Sequence, residues 1–153
     1  MAADTMTLSS GTTVSVAAAS PATYNVAGYG ALTYTAVGEV ESVGEFGGSA
    51  TVTQFTPLGT GVVKKYKGSI DYGQMALVVG RLLSDDGQEL IKDGFDGTKR
   101  YAEHSFKIVD SDGSIIYFTG MIASFSNQVN DANSVTKVSV NIDINNPVVY
   151  SYT

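Results

Sequence analysis

Apolar and polar residues alternate most cleanly near the end of the chain. Between Thr136 and Ile144, Val138, Val140, Ile142 and Ile144 fall on one side and Lys137, Ser139, Asn141 and Asp143 on the other. A period of two sends successive side chains to opposite faces of a strand, so the segment predicts a strand with one face on a core. Pro147 ends it. Arg100 to Val109 alternates in the same way, with Ala102, His104, Phe106 and Ile108 opposite Glu103, Ser105 and Lys107. A longer strand is predicted from Ser114 to Val129. The intervening Asp110-Ser111-Asp112-Gly113 makes the pair a hairpin, because Asp side chains cap turns and Gly supplies positive φ. Asn130 to Ser134 is a second turn.

Upstream, Thr33 to Val43, Ala50 to Phe55 and Val62 to Lys67 are rich in Thr, Tyr and Val and predict strands. Glycines break the pattern between Gly44 and Gly48, and Pro57, Gly59 and Gly61 break it again. Ser69 to Leu83 predicts one long strand covered on both faces, since Gly73 and Gly80 would each cost a helix about 1 kcal/mol. A single helix is predicted from Asp86 to Asp93. Asp85 is its N-cap, Gln88 stands at capping-box spacing, and Asp86 and Glu89 sit where the helix dipole favours anions. Leu90 and Ile91 give it a small face for packing, and Gly94 is placed to end it. Residues 1–31 carry Asp4 as their only charged side chain and are interrupted at Ser20-Pro21 and Gly28-Tyr29-Gly30. They predict a flexible or partly ordered arm ahead of one β-domain over residues 32–149, with 150–153 as a short tail.

Composition narrows the chemistry. The 153 residues contain no cysteine, which excludes disulfides and thiolate metal sites, and a single histidine excludes a multi-histidine zinc site. The net charge of −6 argues against a protein that grips nucleic acid by its phosphates. No stretch approaches the ~18 apolar residues of a membrane helix, so no membrane insertion is expected. Asp110 to Gly113 has its Gly too early for a calcium loop, and Met121 stands where the closing Glu belongs. His104 shares a strand face with Phe106 and Ile108 and reads as a core residue. No nucleophile-elbow, phosphate-loop or dinucleotide motif is present, so the expectation is no enzyme and no cofactor.

The charges are unevenly distributed: all nine basic residues lie at or after Lys64, while Met1 to Val63 holds only Asp4, Glu39, Glu41 and Glu45. Glu39 and Glu41, two apart on one predicted strand, would share a face. That face is either simply solvated or an acidic wall past which a polyanion slides without adhering. Asp143, pointing away from Val140 and Ile142, is a further candidate for such a wall.

The order of elements and several local motifs resemble the tail tube proteins of long-tailed bacteriophages, from about Val37 to Val149. Val37-Gly38-Glu39-Val40 is similar to the first tube strand, and Gly44 to Gly61 to the mobile loop between early strands. Asp71-Tyr72-Gly73-Gln74-Met75-Ala76-Leu77 followed by Asp85-Asp86-Gly87-Gln88-Glu89-Leu90 is similar to the strand and single helix. Tyr117 to Phe125 with Val135 to Ile144 is similar to the final hairpin. The resemblance implies a mainly β fold, an antiparallel β-sandwich or half-barrel with one short flanking α-helix. It implies hexameric rings whose sheets join between subunits into one barrel around a channel. Such rings stack on a tape measure protein, meet terminator and tip proteins, and conduct DNA during ejection without binding it specifically. The protein would be made in the host cytoplasm and reside in the virion tail. The same fold serves contractile tails and type VI secretion tubes. Some relatives carry a C-terminal immunoglobulin-like domain, for which this chain is too short.

Within that frame Glu39, Glu41 and Asp143 are candidate channel-lining acids. Gly44, Glu45, Phe46, Gly47, Gly48, Val52 and Phe55 form a candidate ring-to-ring loop. The rival reading is a β-domain that binds a ligand in a tail tip, a baseplate or a carbohydrate-binding module. The absence of Trp and the scatter of nine Tyr count against a saccharide platform.

Overall fold

The computed structural model describes residues 6–152. The first five residues of the expected arm and the last residue of the expected tail lie outside the described residues. The chain runs β1 (Thr13–Ala17), α1 (Val26–Gly30), β2 (Thr35–Val37), β3 (Val40–Val43), β4 (Ser49–Phe55), β5 (Lys64–Asp71), β6 (Gln74–Gly80), α2 (Asp86–Asp96), β7 (His104–Val109), β8 (Ile115–Gln128), β9 (Lys137–Ile144) and β10 (Val149–Ser151). The main sheet has the order β2-β1-β7-β8-β9-β6-β3, with β10 also on β8, and every pairing is antiparallel.

β8 is long enough to serve two layers. Its first half pairs with β7 (Phe106 opposite Phe118) and its second half with β9 (Phe125 opposite Val140). A register shift between Ile122 and Ser124 lies in the second half; a bulge there bends the strand and raises its twist. The sheet then curls until its two ends meet through the backbone. Val37 and Val40, at opposite ends of the ladder path, are separated only by Gly38 and Glu39, and Glu39 turns the corner at φ 55. β2 and β3 form no ladder with each other, so the barrel stays open along the outer edge of β3.

The core lies inside this curl, where Val14, Val16, Met75, Leu77, Phe106, Phe118, Val140 and Ile142 are fully or almost fully buried. The rings of Phe106 and Phe118 stack 5.3 Å apart. The predicted alternation of β9 is realised: Val138, Val140, Ile142 and Ile144 are all buried.

Several elements differ from the sequence expectation. Part of the expected arm, Thr13–Ala17, lies inside the sheet between β2 and β7 because Val14 and Val16 fill the core. A second helix, α1, forms on the N-cap Asn25, which accepts from the Gly28 amide, and it buries Tyr29. Tyr29 stacks on Tyr117 at 5.3 Å and shares a 2.8 Å hydrogen bond with Thr119. The strand expected over Thr33–Val43 is two strands, broken at the Gly38-Glu39 corner. The long strand expected from Ser69 to Leu83 is likewise interrupted at Tyr72-Gly73, where Gly73 takes φ +72.

Candidate assembly surfaces

The α2 helix fixes the corner of the barrel. The Asp85 carboxylate accepts from the Gln88 amide (3.0 Å) and from the Gly38 amide (3.1 Å). The reciprocal half of the expected capping box is not made, because the Gln88 side chain is used elsewhere. Its Nε2 donates to the carbonyls of Gly38 (3.0 Å) and Gly80 (2.9 Å), and its Oε1 accepts from Leu82 N–H (3.0 Å). Gln88 thus joins the β2–β3 corner, the end of β6 and the helix while only 6% exposed. Ile91 is buried in the core and Leu90 packs half-buried against it. Gly94 does not end the helix. It lies inside it, where a Cβ would come within 2.7 Å of His104 Nε2 and Ile122 Cδ1, and Gly97 is the C-cap instead. His104 is a fully buried core residue. Its Nδ1 lies 3.1 Å from the Ala102 carbonyl, which makes Nδ1 the protonated nitrogen, and Nε2 has no partner among the described residues. Burial lowers its pKa, so the ring is neutral at neutral pH.

The candidate loop is an ordered hairpin. Among the described residues β4 and β5 pair only with each other, with a register shift between Ala50 and Val52. The root is fixed: Gly44 N–H bonds the Ala76 carbonyl at 2.8 Å, and Phe46 turns inward to pack 5.5 Å from the Phe118 ring. Gly47 and Gly48 pass close to Gly73 and Tyr72, and Glu45 is exposed. Beyond the root both faces of the ribbon are exposed. Phe55, opposite Lys64, is 59% exposed; Val52, opposite Lys67, is 56% exposed. No acid occurs between Phe46 and Ile70, whereas Lys64, Lys65 and Lys67 do.

The three candidate wall acids are only partly brought together. Glu41 and Asp143 flank one outer sheet face, formed otherwise by Lys137, Ser139 and Asn141, with Val78 opposite Ser139, Ala76 opposite Asn141 and Gln74 opposite Asp143. On that face Glu41 Oε1 lies 2.7 Å from Lys137 Nζ, and Asp143 accepts from Gln74 Nε2 at 2.7 Å. Glu39 sits on the corner rather than on β3, so strand alternation does not align it with Glu41. The face is polar and close to neutral. Sequence reasoning missed Lys137 because its partner is distant in the chain, and missed Gln88 because its capping spacing suggested a local role.

A cleft of about 370 Å³ opens where the barrel is not closed. Val40, Val43 and Phe46 line one side, Ile108 and Ile116 the other, with Glu41 and Asp110 among its polar lining. Among the described residues, no group of three His, Asp or Glu side chains could hold a metal ion, and no helix is long and apolar enough to cross a membrane.

No family model and no curated protein sequence matches the chain. Solved structures do. The sheath/tube terminator of the PVC extracellular contractile injection system in its extended state superposes with a TM-score of 0.68 at 13% identity, covering 98% of this chain and 99% of that one. A chain of the six-fold symmetrised anti-feeding prophage baseplate gives 0.69 at 10% identity, covering 97% of each. The SPP1 tail tube gives 0.60 at 13% identity, covering 92% of this chain and 76% of that one. At these identities the likeness is one of fold: the chain has the tail-tube-type fold.

Proposed function

We propose that the protein is a structural component of a virion tail, a tube subunit whose copies close six to a ring and stack into a conduit for DNA. The observation that carries this reading is the hairpin. A two-stranded ribbon with apolar side chains bare on both faces is marginal in water, and burial against another copy stabilises it. The open edge of β3 is a second unpaired feature of the kind that subunit joining covers. The six-fold baseplate and the tail of a gene transfer agent refined with C6 symmetry supply the proposed ring size. A tape measure protein and end-capping proteins are the partners a tube requires. The polar face with Glu41 and Asp143 is the proposed channel wall; its near neutrality suits a bore through which DNA moves without adhering.

One observation favours a second reading. The tube terminator matches over almost the whole of both chains, more completely than the SPP1 tube does. A terminator forms a ring that ends a tube instead of propagating it. Negative-stain microscopy of the purified protein separates the two: stacked tubes of varied length support the tube subunit, single rings that do not stack support the terminator. Monomers alone at high concentration, by microscopy and sedimentation, refute both.

A further inference from the structure

We infer that the open cleft beside β3 is the receptor for the β4–β5 hairpin of a second copy, an inference that rests on the self-assembly proposed above. The cleft and the hairpin are complementary in two independent respects. The cleft offers apolar walls from Val40, Val43, Ile108 and Ile116, and the hairpin carries bare Val52, Phe55 and Tyr66. The cleft also carries Asp110, with Glu41 at its rim already paired to Lys137, and the hairpin carries Lys64, Lys65 and Lys67 with no acid between Phe46 and Ile70. Hydrogen bonding adds a third reason. β3 has a ladder partner on one side only, β6, so its other edge presents free backbone groups along the cleft. The outer edge of β5 is unpaired in the same way. An extended strand from outside satisfies both edges at once.

The contact joins different surfaces on the two copies. Such a contact does not saturate at a dimer: it repeats from copy to copy and gives rings or stacks, depending on the rotation it imposes. A second copy is the occupant favoured over an unrelated partner because apolar patch, charge and strand edge are all supplied by one chain in matched form.

Reciprocal charge exchange tests this. In the hairpin variant, Lys64→Glu, Lys65→Glu and Lys67→Glu set acids against the acidic cleft of every other copy. In the cleft variant, Ser9→Lys and Ser42→Lys set bases against every basic hairpin and leave the Glu41–Lys137 pair intact. Each variant alone is expected to stay folded by circular dichroism and to raise the concentration for assembly at least tenfold by sedimentation. An equimolar mixture is expected to co-assemble like the wild type, because every hairpin then meets a cleft of opposite charge. If both variants assemble normally alone, or the mixture stays dissociated while the wild type assembles, the cleft is not the receptor and the self-assembly reading still stands. If the wild type itself never assembles, both fall. Should the cleft variant fail to fold, copies with Ser42→Cys mixed with copies carrying Lys65→Cys, on the strand whose edge meets β3, provide the test in a chain without native cysteine. A disulfide between the two kinds of copy under mild oxidation supports the docking, and its absence from assembled particles overturns it.

Discussion

Replacing Gln88 by Leu keeps the side chain's size and removes every polar atom with which it joins three elements. Three hydrogen bonds disappear, to the Gly38 and Gly80 carbonyls and from Leu82 N–H. A typical bond contributes about 0.5–1.5 kcal/mol net, and a buried group left without a partner costs about 1–3 kcal/mol. The Gly38 carbonyl, at the strained corner, and Leu82 N–H are the groups most exposed to that penalty. Leucine regains part through better helix propensity, a few tenths of a kcal/mol at most. The net expectation is about 3 kcal/mol of destabilisation. For a chain of this size that lowers Tm by about 6–12 °C, at 2–4 °C per kcal/mol. Urea unfolding monitored by circular dichroism measures it, with an unchanged m-value showing that the loss is in the native state. Gln88→Glu should be worse than Leu, because a carboxylate would face two carbonyl oxygens. A loss below about 1 kcal/mol for Leu, or a Glu variant as stable as the wild type, would refute the role given to this side chain.

The remaining predictions concern other sites. Burial holds the His104 pKa in the folded protein below its ordinary value near 6.5. Its contribution is therefore complete above pH 6.5 and is lost as pH falls toward the folded pKa, at up to about 1.4 kcal/mol per pH unit. Urea midpoints at pH 7.5 and 5.5 should differ for the wild type and converge for His104→Gln. Gly94→Ala presses a methyl against His104 and Ile122 and should cost about 1–3 kcal/mol by thermal melting; a neutral result would show that the helix shifts freely. Phe55→Asp should leave Tm within about 1 °C of the wild type while abolishing tubes in electron micrographs, because the side chain touches solvent in the single subunit. Deleting Glu45 to Gly48, by contrast, removes Phe46 from the Phe118 ring and should lower Tm as well; tubes of normal length from both variants would remove the hairpin from the assembly contact.

The elements that could be read from sequence are those whose signal is local. β9 announces itself by strict alternation, the Asp110 to Gly113 turn by its residues, and the start of α2 by Asp85. What could not be read depends on distant partners. Thr33 to Val43 is rich in Thr, Tyr and Val on both sides of Gly38, and nothing in a Glu at position 39 signals positive φ, which the closure of the sheet imposes. Val14 and Val16 are only two apolar residues in a small-residue segment; they become a strand because β7 and β2 flank them. α1 contains two glycines in five residues and survives on the burial of Tyr29. Among the candidate site residues, Val52 and Phe55 lie on opposite faces of β4, and both are exposed because the ribbon beyond its root pairs with no other strand among the described residues, which no local pattern signals. The pairing of Glu41 with Lys137 was not legible either, because it reaches across β6 from β3 to β9, between residues almost a hundred positions apart.

The Gly38-Glu39 corner also sets how the molecule carries force. In an open sheet, tension on an edge strand is resisted by one row of hydrogen bonds, which unzip one after another. Here the strand at one edge continues through two residues into the strand at the other. A pull on β3 is therefore passed through covalent backbone into β2 and the opposite layer. Asp85 and Gln88 brace the bend against straightening. The fold resists peeling as a loop of rope does, by having no loose end at that side.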